Sequence, residues 1–214
     1  PYSNKKFQDI FRHTLWMVPG VKAALALSEL LRNHPVFGNF RIVNVAGDGD
    51  EEENSKDALK DVLDAIGEDS DATYTITLSC GRLTTGVSIK AWTAVFMLSG
   101  SYKTQAPTYM QTIFRVQTPY THKGKMKTQC YVFDFAPDRT LQVLAKTAKV
   151  SAKVGKQSAE DRKIMGDFLN FCPVIAIEGS KMSQYDVNSM MKQLKKVYVE
   201  QVVQNGFEDN HLYN

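Results

Sequence analysis

The sequence predicts a doubly wound α/β domain, a parallel sheet with helices on both faces, followed by a mostly helical appendage. Three observations carry this. Five short runs are continuously apolar or β-branched rather than alternating, as strands covered on both faces require. Amphipathic or turn-rich stretches separate them, the pattern of a crossover fold. Beyond residue 137 the alternation fades and helical patterns follow one another. The boundaries fall at 1–137 for the sheet domain and 138–214 for the helical extension.

Each element has a local reason. Residues 13–18 are apolar and stop at Pro19-Gly20. Residues 21–32 read as a helix with Val21, Ala24, Leu25, Leu27 and Leu31 as its apolar stripe. A second strand over 41–46 ends at Gly47-Asp48-Gly49. Residues 55–66 are amphipathic through Ala58, Leu59, Val62, Leu63 and Ile66, and Gly67 supplies the stop. Runs at 74–79, 94–98 and 129–136 complete the strands, the last closed by Pro137-Asp138. Helical patterns are expected over 139–154, 159–170 and 184–204, with a short apolar run at 173–177.

Composition excludes several classes. The 43% apolar content is that of a globular chain. The net charge of +3 selects no partner, but its distribution is uneven. Residues 48–71 hold eleven acids against Lys56 and Lys60, while residues 103–156 hold ten Lys or Arg against Asp134 and Asp138. A polyanion is drawn to the second stretch and repelled by the first. Cys80, Cys130 and Cys172 form no CxxC pair, and His13, His34, His122 and His211 lack ligand spacing, so no zinc site or disulfide framework is expected. The acids at Asp48, Asp50 and Glu51 to Glu53 lack a calcium-loop spacing, and no metal is assigned to them. No signal peptide or spanning run of about 18 apolar residues occurs, so no membrane partner is expected and the cytoplasm is the default compartment. The chain opens on Pro1 rather than Met, and a fragment of a longer polypeptide is expected.

Parallel sheets place working loops at the carboxyl ends of their strands, and three loops stand out. The turn over 80–89 carries Arg82, Thr84, Thr85, Gly86 and Ser88; glycine lets backbone approach a ligand and the hydroxyls suit phosphate oxygens. On a helix after Pro107, Gln111 and Arg115 stand four residues apart and share a face, where a cation can reach a nucleotide phosphate. At Pro19-Gly20, amides of a helix start can hold a backbone phosphate. A Gly/Thr-rich turn, a surface arginine and a Pro-Gly turn are each as readily structural when taken singly.

Together and in order, these segments resemble the second, carboxyl-terminal RecA-like domain of superfamily-2 helicases. Residues 15–31 look like motif IV. Residues 79–98, with TTGVSI followed by TAVFML, look like motif V and its next strand. Residues 111–118 look like motif VI, commonly Q-x-x-G-R-x-x-R. The wording of motifs V and VI, with DFAPDR at 134–139, is most similar to helicase parts of type III and single-chain type I restriction–modification enzymes. The resemblance covers about residues 13–136.

The resemblance implies roles. Arg115 matches the first motif VI arginine, which faces the ATP γ-phosphate, and Gln111 its glutamine near the nucleotide. Gly86 and Ser88 are placed at the nucleotide, and Pro19, Gly20, Arg82, Thr84 and Thr85 at the DNA backbone. Three positions depart from the pattern. Thr118 stands at the second arginine, Phe114 at the common glycine, and Ser88 where an acid is frequent. Lys123, Lys125 or Arg139 are the cations that can supplement Arg115. The chain holds no G-x-x-x-x-G-K-[ST] loop and no acidic D-E-x-H box. ATP and Mg2+ are therefore expected to be held mainly by a first RecA-like domain, with DNA as the second partner. A non-catalytic docking module and an unrelated small-molecule enzyme are the competing readings.

Overall fold

The computed structural model describes residues 2, 4–47, 52–81, 83, 88–98, 106–136, 159–171, 175–178, 181–184, 186–194 and 196. The chain divides into two compact units, Pro1–Ala136 and Pro137–Asn214.

In the first unit the elements run α1 (Lys5–Ile10), β1 (His13–Met17), α2 (Val21–Arg32), β2 (Arg41–Asn44), α3 (Glu52–Ile66), β3 (Thr75–Ser79), β4 (Ala94–Met97), α4 (Ala106–Phe114), β5 (Thr121–His122), β6 (Lys125–Met126) and β7 (Tyr131–Asp134). Five strands form one all-parallel sheet in the order β2-β3-β1-β4-β7. The expected parallel α/β architecture is present, with every expected strand in it. Parallel register sets His13 beside Thr75 and Thr14 beside Ala94, so β1 is central and buried along its whole length. The short α1 has no counterpart in the sequence reading. Asn4 caps it by accepting from the Phe7 amide at 3.1 Å.

One sheet face carries an aromatic core. Trp16, Phe96 and Phe133 pack with Tyr2, Phe11, Phe37 and Phe40, and the Phe96 and Phe133 rings stack at 4.5 Å between centroids. Ala24 and Leu31 of α2 join this layer. Ala58, Val62 and Ile66 of α3 are buried but stand outside that cluster, as a second layer over β2 and β3 requires. Two expected core residues lie outside the core: Leu25 is 57% and Leu63 48% exposed. In α2 the inward line is Ala24, Ser28 and Leu31, spaced by one turn, which leaves Leu25 on the flank. Gly67 ends α3 as expected, with φ +75° and its amide donating to Leu63 O at 2.8 Å.

Among the described residues, the buried hydroxyls of Ser28 and Thr77 and the Trp92 indole N–H have no hydrogen-bond partner. A buried unpaired hydroxyl costs about 1–3 kcal/mol. Thr77→Val, on the same β-branched frame in β3, is therefore expected to raise unfolding stability by about 1 kcal/mol. Urea unfolding measures this, and a loss of stability would show that the hydroxyl is satisfied.

The second unit holds α5 (Ala159–Phe171), an antiparallel hairpin of β8 (Ile175–Glu178) and β9 (Lys181–Gln184), and α6 over residues 187–194. The helix expected from residue 184 starts later. Gln184 ends β9, and the Asp186 carboxylate accepts from the Ser189 amide at 2.8 Å, an N-cap that fixes the helix start. That amide also holds the Asp186 carboxyl below its usual range. Met165, Met190, Met191 and Leu194 are buried in this unit. The helix expected over 139–154 lies outside the described residues.

Candidate functional site

The expected site residues separate onto two edges of the sheet. At the carboxyl edge, β1 runs out through Val18, whose amide donates to Ser79 O at 2.8 Å, into Pro19-Gly20 and the start of α2. Gly20 precedes the helix without a side-chain cap, leaving the first α2 amides open. Neighbouring strand ends close on themselves here. The Ala46 amide donates to Asn44 Oδ1 at 3.1 Å, and the Gly81 amide to Ser79 Oγ at 3.2 Å. Leu83 follows with φ 63° and a side chain only 2% exposed. A left-handed backbone on a branched residue costs about 1–2 kcal/mol, so burial of Leu83 holds the loop in a strained shape. Arg82, Thr84, Thr85 and Gly86 lie outside the described residues.

Arg115 and Ser88 stand at the opposite, amino edge. The Lys127 ammonium bonds both Trp92 O, just before β4, and Val116 O, so the turn that Arg115 opens lies where β4 begins and not at the carboxyl edge expected for it. The reason is topological. In a parallel sheet the chain must travel the full strand length between the end of β3 and the start of β4. Residues 80–93 therefore begin at one edge and finish at the other. Likewise α4, leaving the end of β4, returns its last turn to the amino edge. Gln111 is exposed on α4, whereas Tyr109, Thr112, Ile113 and Val116 are buried. Arg115 is half-buried and opens a single 3-10 turn, Arg115–Gln117. Thr118 does not replace the second arginine as a donor to a ligand. Its hydroxyl donates to Arg115 O at 3.2 Å and closes that turn.

Lys127, which the sequence reading passed over, organises the amino edge. Its ammonium donates to Lys90 O at 2.9 Å, Trp92 O at 2.9 Å and Val116 O at 2.8 Å. One cation thus joins the turn over Ile89–Trp92, which directly follows Ser88, to the turn that Arg115 opens. Burial pushes the Lys127 ammonium below its usual pKa. The available signal was the hairpin just before it: Lys123-Gly124 between two short runs is a two-residue turn pattern. Lys123 (φ 47°) and Gly124 (φ 75°) both take left-handed backbone between β5 and β6, and the Lys127 amide donates to Tyr120 O at 2.8 Å.

The hairpin is tied outward as well. Tyr120 Oη and Ser70 Oγ lie 2.8 Å apart, His122 Nε2 meets Asp69 Oδ1 at 2.9 Å, and Lys123 Nζ meets Asp69 Oδ2 at 2.7 Å. Lys123, followed by His122, holds the Asp69 carboxyl down at about 2. Asp69, Asp71 and His122 bring ligand atoms within 4.8 Å of one another. Lys123 already supplies the cation among them, lying 4.0 Å from Asp71 as well, so the group does not fit an Mg2+ site. Lys123 is thereby engaged away from Arg115. Lys125 is exposed, and Arg139 lies outside the described residues.

Beneath these contacts His13 begins β1. Its Nε2 lies 2.8 Å from Ser70 O and its Nδ1 2.9 Å from Thr75 Oγ1. A carbonyl only accepts, so Nε2 carries the proton and Nδ1 accepts from the threonine hydroxyl. Burial pushes the imidazole pKa down to about 4.

Over 190 residues, 86% of its length, the chain is 34% identical to a protein of Mycoplasma pneumoniae named as the C-terminal part of a type II restriction enzyme and methyltransferase. The chain is similar to one segment of a restriction–modification polypeptide. It spans 25% of that relative's length. The restriction–modification likeness anticipated from motifs V and VI is thus found. No family model matches. Among solved structures, Dbp5 of S. cerevisiae bound to RNA and ADP BeF3 overlays 87% of this chain and 38% of its own, at a TM-score of 0.43 and 15% identity. Mss116p DEAD-box helicase domain 2 bound to an RNA duplex overlays 91% of this chain and 77% of its own, at a TM-score of 0.40 and 13% identity. Overlays this loose carry no weight on chemistry. Among the described residues, no helix is long and apolar enough to cross a membrane.

Proposed function

We propose that this chain is the second motor domain of an ATP-dependent DNA helicase or translocase within a restriction–modification polypeptide. The observation that carries the reading is where the connection between β3 and β4 starts and where it finishes. That segment starts beside Pro19-Gly20 at one edge and ends in the turn that Lys127 joins to Arg115 at the other. A single stretch that reaches both edges is what a motor needs to link a nucleic-acid backbone to a nucleotide. Pro19 and Gly20, beside the open α2 amides, hold the DNA backbone together with Arg82, Thr84 and Thr85, without reading base sequence. Gly86, Ser88 and Gln111 border the nucleotide.

Arg115 stabilises the negative charge that spreads over the γ-phosphoryl oxygens as the terminal bond breaks. Water is the nucleophile and ADP the leaving group, both placed mainly by a first RecA-like domain. That domain also carries Mg2+, whose chemistry is to neutralise phosphate charge; the Asp69 group does not fit this ion. Closure of the two domains brings Arg115 to ATP, and opening after hydrolysis lets DNA advance.

The second reading, a docking module derived from such a domain, is favoured by Thr118, which closes a backbone turn where the family has an arginine. One comparison separates them. The 214-residue chain alone is expected to show no ATP turnover above background. The longer polypeptide is expected to hydrolyse ATP with stimulation by DNA, and its DNA binding to weaken steeply with salt. Turnover by the isolated chain that Arg115→Ala abolishes would sink the two-domain site. A longer polypeptide that binds DNA without hydrolysing ATP would favour the docking module.

A further inference from the structure

We infer that Lys127 is the positioning residue that makes the Ile89–Trp92 turn and the Arg115 turn move as one body. Its three bonds go to carbonyls of three residues, two on one turn and one on the other. Backbone carbonyls carry no positive charge, so nothing else in these bonds opposes their mutual repulsion. The ammonium, half-buried and donating three protons, satisfies them together. The geometry is rigid because Lys127 is fixed at its own backbone, through its amide bond to Tyr120 O. Trp92, whose carbonyl is one of the two on that turn, is fully buried and anchors the turn to the core. Lys127 is chemically unable to reach ATP and act on it while committed to three carbonyls. It acts through Arg115.

The inference rests on the proposed role of Arg115 for its catalytic consequence, but the mechanical coupling stands separately, and the two are read by different measurements. Amide hydrogen exchange on the 214-residue chain reads the coupling. Lys127→Met keeps the stem and removes the donors. It is expected to raise exchange of both residues 88–92 and residues 115–118 by about tenfold, with β1 and β3 unchanged. Lys127→Arg keeps a cation whose planar fork cannot converge on three carbonyls, and is expected to give a smaller rise, about threefold, in the same two segments. Lys60→Met, on an exposed α3 position, is the control. Unchanged exchange, a rise in only one segment, or a rise spread equally over β1 and β3 would overturn the inference. If Lys127→Met does not fold, the Lys127→Arg pattern decides.

ATP kinetics of the longer polypeptide read the consequence. Lys127→Met is expected to lower kcat by about 10²-fold with KM within a few-fold, as misplacing a group by an ångström does, and Lys127→Arg to restore part of it. A fall in KM affinity with unchanged kcat would overturn the positioning role. Absence of turnover in the unaltered polypeptide would overturn the motor reading instead, leaving the exchange result to decide the coupling.

Discussion

Arg115→Ala in the longer polypeptide is expected to lower ATP turnover by about 10³-fold while leaving ATP affinity within a few-fold. The asymmetry follows from where charge appears. In the proposed two-domain site the ground-state γ-phosphate would be held mainly by the first domain, so losing Arg115 would remove little binding. As the terminal bond breaks, charge spreads onto the outer oxygens, and an arginine fork there gains strength with the reaction. The effect falls at the large end because, among the described residues, the nearest candidates to back it are already engaged. Thr118 is spent on Arg115 O, and Lys123 on Asp69. Arg115→Lys is expected to recover only part of the rate, since a point charge cannot pair with two oxygens at once. Steady-state kinetics with a fluorescent nucleotide titration check both numbers. Unchanged turnover in Arg115→Ala would remove the assigned role.

Acid is expected to weaken the fold through His13, by about 3 kcal/mol between pH 6.5 and pH 4. The folded imidazole has its pKa lowered from 6.5 to about 4 by burial. The unfolded chain therefore takes up the proton first as pH falls. The stability tied to neutral His13 is complete above 6.5, declines through the window between the two values, and is gone below about 4. A protonated ring would place a second N–H against the Thr75 hydroxyl and a charge inside the sheet. His13→Gln is expected to flatten that window at some cost in stability at neutral pH. Asp69, held at about 2, acts only in a lower window and cannot mimic the effect. Urea unfolding at a series of pH values measures the slope, and a slope unchanged in His13→Gln would refute the assignment.

The two edges show what sequence reasoning reaches. The five strands were legible because a continuous apolar run such as AVFM and a β-branched one such as TITLS, bounded by turns and separated by helical patterns, fit a sheet covered on both faces. The bounds of α2 were legible because Pro19-Gly20 precedes it and the apolar spacing of Val21, Ala24, Leu27 and Leu31 carries through it, although its inward line also takes in Ser28. The edge assignment was not legible. A motif is a string, and a string does not say whether its last residue has crossed the sheet. Pro19 and Gly20 lie at the carboxyl edge as expected, but Arg115 does not, because the chain from β4 runs back along the strands before reaching it.

Lys127 and the Asp69–Lys123–His122 contacts were hidden for a related reason. Their partners are carbonyls and carboxylates 11 to 54 residues away in sequence. Periodicity and local motifs report only neighbours within a turn or a strand. What the sequence determined by itself is the parallel α/β architecture and most element bounds, because local propensity and burial pattern decide these. What only the tertiary structure decided is which edge each residue serves and which cation holds the turns together, because chain reversal between parallel strands sets both.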